Sequence, residues 1–266
     1  MDKTVSILGC GRVGMLLVER LARKYPKVKA STTSKDKIQE IKNVGGLPYL
    51  INSHDLDFNS YVKFLDTDVL IISLPPQSVR VYQILADDIA KAGIKKVLFI
   101  SSTAVYPKIN REVTEVDAEY IKSPHSGRVM LSLEDVFAGR SEFETTVIRF
   151  CGIVDPREVP GKHMFGFSGL KDGKRPVNMI HIEDCAGMIE KILEKEAWGK
   201  TYNACADRHP SRSEFYVKAA RSAGSKPPEF ENETPAEGSF RIVDSSKLKQ
   251  ELDYKLKHPD PTKIFE

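Results

Sequence analysis

The chain has 266 residues, 41% hydrophobic and 29% charged, which suits one large domain or two intergrown lobes and is too apolar for a disordered protein. Forty basic against thirty-seven acidic residues leave a net charge of +3, and no block of like charge offers a nucleic-acid surface. Cys10, Cys151, Cys185 and Cys205 show neither a disulfide framework nor zinc spacing, so no metal is expected.

Residues 5–8 (VSIL) form a short β-prone run that breaks at GCGRVG, residues 9–14. An amphipathic helix follows, with Val13, Leu17 and Leu21 at i, i+4 spacing and Leu16 alongside, until Pro26 stops it. Residues 28–33 read as a second strand, which completes a βαβ unit of about thirty residues. Residues 36–44 are helical and 47–51 a third strand. The continuous apolar runs 69–74 (VLIISL) and 97–101 (VLFIS) suit strands buried on both faces of a parallel sheet. A helix over 79–92 lies between them; 130–138 predicts another, and 146–153 (TVIRFCGI) a further strand. This alternation defines an α/β fold, a Rossmann-type doubly wound parallel sheet with a small C-terminal substrate lobe.

Beyond residue 154 the chain becomes rich in Gly, Pro and Lys without sustained period. A short strand at 177–182, a helix at 183–193 and a helix at 212–223 punctuate it. The expected division puts 1–154 in the nucleotide-binding domain, with 177–200 returning to it. Residues 155–176 and 201–266 then form a smaller substrate-side lobe. MDKTVSILGC does not read as a signal peptide and no window approaches about eighteen apolar residues, so the expected location is the cytoplasm, with no membrane partner.

GCGRVG stands where a dinucleotide fingerprint belongs, between a strand and a helix. Gly9 makes the tight turn, Gly11 leaves room for a pyrophosphate, and Gly14 allows close helix–sheet packing. Arg12 and Val13 share the first turn, whose N–H groups would face the phosphates. An NAD site commonly carries an acid about twenty residues further on. Here that position falls in STTSK, where Thr33, Ser34 and Lys35 suit a 2′-phosphate, so the expected cofactor is NADP. Asp36 argues the other way and keeps NAD open, although it also reads as an acid in the first turn of the next helix.

Seven strings, taken together, carry a family resemblance: GCGRVG at 9–14, HDLDF at 54–58, SLPP at 73–76, ISSTAVYP at 100–107, VIRFCGIVDP at 147–156, MIHIEDCAGMI at 179–189 and TYNACAD at 201–207. The chain resembles the extended and atypical short-chain dehydrogenase/reductases, specifically the NAD(P)-dependent epimerase/dehydratase group. The resemblance implies that Asp55 and Leu56 touch adenine, and that Leu74, Pro75 and Ser101 lie beside the cofactor. It also implies that Ser102 hydrogen-bonds a substrate hydroxyl or carbonyl. The partner would be a sugar-like or small hydroxy/carbonyl compound, and the family often forms homodimers.

The same resemblance exposes a gap. The family's Tyr acid/base works with a Lys four residues later. Of nine tyrosines only Tyr25 has Lys at that distance (Lys29), at the start of the second strand. Where the pair belongs the chain reads SPHSGRVMLSLE, residues 123–134, with His125 near the Tyr position and Val129 at the Lys position. A Tyr without its Lys is only about 0.1% ionised near neutrality. His125 and Tyr120 are the replacement candidates, and both also read as solvated side chains of a polar loop. Tyr106 reads as loop packing and IHIED at 180–184 as structural. Arg149 faces either the site or a carboxylate. Two functions follow: an NADP-dependent oxidoreductase or epimerase/dehydratase with a non-standard acid/base, or a catalytically inactive NADP-binding sensor.

Overall fold

The computed structural model describes residues 3–52, 57–231 and 233–266. Its strands are β1 (Thr4–Leu8), β2 (Lys27–Thr32), β3 (Leu47–Leu50), β4 (Val69–Ile72), β5 (Lys96–Ser102), β6 (Glu112–Val113), β7 (Glu144–Phe150), β8 (Gly152–Val154), β9 (Met179–His181), β10 (Thr201–Ala204) and β11 (Ile242–Val243). Its α-helices are α1 (Arg12–Leu21), α2 (Lys37–Asn43), α3 (Phe58–Leu65), α4 (Val79–Lys91), α5 (His125–Ala138), α6 (Ile182–Glu194), α7 (Arg212–Ser222) and α8 (Ser246–Leu252).

A seven-stranded sheet runs in the order β10-β7-β5-β4-β1-β2-β3, and the pairings among β1 to β5 are all parallel. The chain reverses direction across the sheet at β1, which has β2 on one side and β4 on the other. In open α/β sheets such a switch leaves a crevice at the strands' carboxyl ends, where ligands bind. No helix among the described residues is long and apolar enough to cross a membrane.

By internal contacts the chain divides into two compact units. The first gathers Met1–Ser102, Arg128–Arg149 and Ile189–Thr201, and the second gathers Thr103–Gly127, Phe150–Met188 and Tyr202–Glu266. In the first, all four residues of β4 are buried, as expected for a strand covered on both faces. Tyr82 of α4 meets Phe99 and Phe137 edge-on, at 5.9 and 5.8 Å between ring centroids. Lys29 is buried in β2, and its ammonium donates to the carbonyls of Lys63, at 2.6 Å, and Asp66. Carbonyls at a helix end lack intrahelical partners, so this lysine satisfies the end of α3.

In the second unit β8 pairs with β9 and β6 with β11, each as a separate parallel two-stranded sheet. Val154, Val177 and Phe215 centre a small core with Met179, Tyr216, Ile264 and Phe265 against it. The Asp184 carboxylate at the start of α6 accepts from Tyr254 Oη (2.9 Å) and from the amides of Lys257 (2.8 Å) and His258 (3.0 Å). The IHIED acid thereby anchors the C-terminal segment. The strand expected to bring the chain back to the sheet near residue 177 is β9, and it joins β8 instead. The large sheet is completed by β10.

Candidate functional site

The glycine turn is fixed from three sides. Gly9 has φ +101°, and a Cβ there would stand 2.4 Å from the Ser73 carbonyl oxygen. Only glycine fits that conformation and approach. The Gly9 amide donates to Ser31 Oγ at 2.8 Å, and the Cys10 amide to the Ser31 carbonyl at 2.9 Å. A Cβ on Gly14 would lie 2.6 Å from the Gly9 carbonyl oxygen, so the missing side chain lets the first turn of α1 close onto the loop. Gly11 differs, because a Cβ there would meet nothing within 4 Å.

The open side of Gly11 faces a cleft of about 600 Å³ in the first unit. Its wall runs over the carboxyl ends of four strands: Leu8 to Gly11 after β1, Ser31 to Thr33 after β2, Ile51 and Asn52 after β3, and Ser73, Leu74, Pro75 and Gln77 after β4. Tyr82 donates its hydroxyl to the Pro75 carbonyl at 3.0 Å and holds the β4 loop in place. Gly11 is the N-cap of α1, no side chain caps that helix, and its first turn holds no acid. By contrast Asp57, Ser78 and Ser211 cap α3, α4 and α7 with their side chains. A helix that opens uncapped onto a cleft presents amide donors and its positive dipole end, which suits phosphate oxygens. The cradle that Gly11 leaves open and these donors fit a dinucleotide pyrophosphate.

Among the expected cofactor residues, Gly9, Gly11, Thr33, Leu74 and Pro75 line this cleft together. Arg12, Val13 and Gly14 occupy the first turn of α1; Val13 and Gly14 are buried and Arg12 is exposed. Ser34 and Lys35 follow β2 but are not in the lining, and Asp36 is the N-cap of α2 without a side-chain capping bond. Asp55 and Leu56 lie outside the described residues. Sequence reasoning missed Lys37, Asn52 and Gln77. Spacing along the loop stops short of Lys37, which begins the next helix. The first residue of a helix projects its side chain back toward the helix N-terminus, here toward the end of β2.

Cys10 also lines the cleft, with its thiol donating to Met15 Sδ at 3.1 Å. Burial pushes its pKa up to about 11, while the nearby Lys37 ammonium pulls the other way.

No protein-family model matches the chain. Among solved structures, a conserved protein of unknown function from Silicibacter pomeroyi superposes with a TM-score of 0.82 at 23% identity, over 99% of this chain and 97% of that one. UDP-glucuronic acid 4-epimerase from Bacillus cereus, in complex with UDP-glucuronic acid and NAD, gives a TM-score of 0.78 at 18% identity, over 98% of this chain and 96% of its own. Protein YeeZ of Escherichia coli K12 is 32% identical over a 277-residue alignment that spans 97% of each chain. The chain belongs to the family of protein YeeZ, and its fold is that of the NAD-bound sugar-nucleotide epimerases.

This likeness of fold sharpens the question of the acid/base. Tyr25 and Lys29, the one pair with the right spacing, are both buried in the first unit, and Lys29 is spent on the end of α3. Ser102 ends β5 and is half-buried. Ser101 beside it is buried and donates to Glu134 Oε1 at 2.5 Å. His125 opens α5 and is exposed, and Tyr120 is 55% exposed on the turn before it. Tyr106 is fully buried and donates to Asn203 Oδ1 at 2.5 Å, which is a packing role. Arg149, left open between site and carboxylate, is 6% exposed and pairs with Glu134. Arg157 is held by Asp155 at 2.9 and 2.6 Å.

A second cleft of about 250 Å³ lies within the second unit, lined by Lys108, Arg175, Arg241, Asn178, Tyr216 and Phe240 among others. Arg241 donates Nη1 to the Tyr106 carbonyl at 3.0 Å, yet its Nε is buried with no hydrogen-bond partner among the described residues. Burial holds its pKa below the usual guanidinium value. Three cations, one with an unsatisfied donor, suit an anionic ligand.

Proposed function

We propose that the protein is an NADP-dependent oxidoreductase or epimerase/dehydratase acting on a sugar-like or small hydroxy/carbonyl substrate. The observation that carries this reading is the cleft after β1, β2 and β4. It combines an open Gly11 under an uncapped helix with a lining, among the described residues, that contains a lysine and no carboxylate. An acid there would hold the ribose hydroxyls of NAD and repel a 2′-phosphate. The bound NAD and UDP-glucuronic acid in the Bacillus cereus structure support a dinucleotide cofactor and a sugar-type substrate.

When bound, the nicotinamide supplies or accepts the hydride. The protein's own part is to orient and to move a proton. In this reading the Ser102 hydroxyl donates to the substrate oxygen, which polarises the carbon that exchanges hydride. The proton partner is His125 or Tyr120. The uncapped amides of α1 hold the cofactor phosphates.

The test is a screen of sugar-like and small carbonyl compounds that follows NADPH absorbance, repeated with Ser102→Ala and His125→Ala. Turnover that falls at least about a hundredfold in Ser102→Ala supports the assignment. Turnover intact in that variant removes Ser102 from the mechanism. The second reading, a catalytically inactive NADP-binding sensor, is favoured by one observation: the sole Tyr/Lys pair at i, i+4 is buried in the structural core of the first unit. Tight NADPH binding with no turnover across the screen selects it.

A further inference from the structure

Three side chains were expected to select the cofactor, yet only Thr33 of them lines the cleft. The cation that does line it is Lys37, the first residue of α2. Its ammonium is near enough to the glycine turn to pull the Cys10 thiol's pKa down against the effect of burial. Lys37 therefore faces the cleft. It forms no hydrogen bond or ion pair with any described residue, whereas other basic residues of the first unit, such as Arg20, Lys24 and Arg140, are engaged by carboxylates.

The surroundings narrow what Lys37 can meet. Thr32 and Thr33 share its part of the lining, and Thr32 Oγ1 accepts the Ser34 amide at 3.1 Å, which tightens the turn after β2. Asp36 lies outside the lining, and Glu40, one turn along α2, is the acid whose charge also reaches the Cys10 thiol. In a fold of this topology the end of β2 meets the adenosine ribose of a dinucleotide. A phosphate monoester there is a compact dianion, and a lysine recognises it as a point charge without needing a fixed fork of donors.

We propose that Lys37 binds the 2′-phosphate of NADP and is the residue that separates NADP from NAD. This rests on the NADP reading above. It assigns the discrimination to Lys37 and removes it from Lys35.

The experiment is isothermal titration of NADP, NAD, 2′,5′-ADP and 5′-AMP against the unaltered protein and the variants Lys37→Ala, Lys37→Arg, Lys35→Ala and Lys42→Ala. Lys42 lies on the same helix and is exposed, so its variant controls for general loss of charge. Lys37→Ala is expected to weaken NADP and 2′,5′-ADP by about tenfold or more, the value of one charge-assisted contact, and to leave NAD and 5′-AMP within about twofold. Lys37→Arg is expected to keep most of the preference. Added salt should weaken NADP binding more in the unaltered protein than in Lys37→Ala. Equal weakening of all four ligands in Lys37→Ala, or a larger NADP loss in Lys35→Ala or Lys42→Ala, overturns the proposal. If the unaltered protein prefers NAD, the NADP reading and the Lys37 assignment fall together. If the unaltered protein prefers NADP and Lys37→Ala keeps that preference, the assignment alone falls.

Discussion

Arg149 on β7 grips Glu134 on α5 through two nitrogens, Nε at 3.0 Å from Oε1 and Nη2 at 2.6 Å from Oε2, and both side chains are more than nine-tenths buried. The same carboxylate accepts the Ser101 hydroxyl at 2.5 Å. A buried pair costs desolvation on both sides, so its net value is small while both partners remain. Removing one partner leaves a buried charge without compensation. Arg149→Met is therefore expected to destabilise the protein by about 3–5 kcal/mol, and the double variant Arg149→Met/Glu134→Leu to recover most of that loss. Urea unfolding of the two variants checks it; a double variant no better than the single one would contradict the account.

The glycines separate folding from binding. In Gly14→Ala the new Cβ would press on the Gly9 carbonyl, so both stability and nucleotide affinity are expected to fall. In Gly11→Ala the new methyl meets no protein atom within 4 Å and projects from a residue that lines the cleft. That variant is expected to keep its stability within about 0.5 kcal/mol and to lose dinucleotide affinity by about tenfold or more. Thermal melts beside nucleotide titrations read both, and a Gly11→Ala protein that binds as well as the parent removes the pyrophosphate from this position.

Cys10 is expected to be a poor nucleophile although it sits in the cleft. With its pKa pushed up to about 11, only about 0.1% is thiolate near pH 8. Alkylation of native Cys10 by iodoacetamide, followed by peptide mass spectrometry, should be slow and should climb roughly tenfold per pH unit toward that value. Rapid labelling near neutrality would show that the Lys37 charge dominates over burial.

Acid should loosen the second unit through His181. Its ring is buried and stacks on His258 with centroids 3.6 Å apart. Burial first, and the His258 charge second, hold its pKa below 6.5, against the opposing pull of Glu183, Asp184 and Asp155. The unfolded chain titrates near 6.5, so between the lowered folded value and 6.5 it binds more protons than the native state, and stability is lost as pH falls through that window. His209 is shifted the same way by burial. Glu183, whose pKa is lowered mainly by the His258 hydrogen bond, adds its own loss only below the ordinary value of 4.5. The melting temperature should therefore fall from about pH 7 to about pH 5, and less steeply in His181→Gln. A melting temperature that rises over that interval contradicts the sign.

Much of the architecture is legible from local pattern. GCGRVG between a strand and a helix marks the site, and the apolar runs at β4 and β5 mark strands covered on both faces, because these signals are carried by adjacent residues. What escaped depends on distant partners or on helix phase. Residues 179–181 read as a strand, but their pairing with β8 follows from packing of the second unit. Helix α3 is only two turns long, and its buried Tyr61, Phe64 and Leu65 make too brief a period to stand out. The partner of Arg149 lies fifteen residues earlier in the chain, within a string read chiefly for a missing Tyr and Lys. Lys37 lies two residues beyond the expected window, and the helix start turns it back into the cleft.

The central claim is that the cleft under α1 holds a nicotinamide dinucleotide, and a fluorescence titration of the purified protein with NADPH, with NADH alongside, tests it most directly. The expected result is saturable NADPH binding, tighter than NADH, that Gly11→Ala abolishes or severely weakens. No saturable signal with either nucleotide, or binding that Gly11→Ala leaves unchanged, would contradict it.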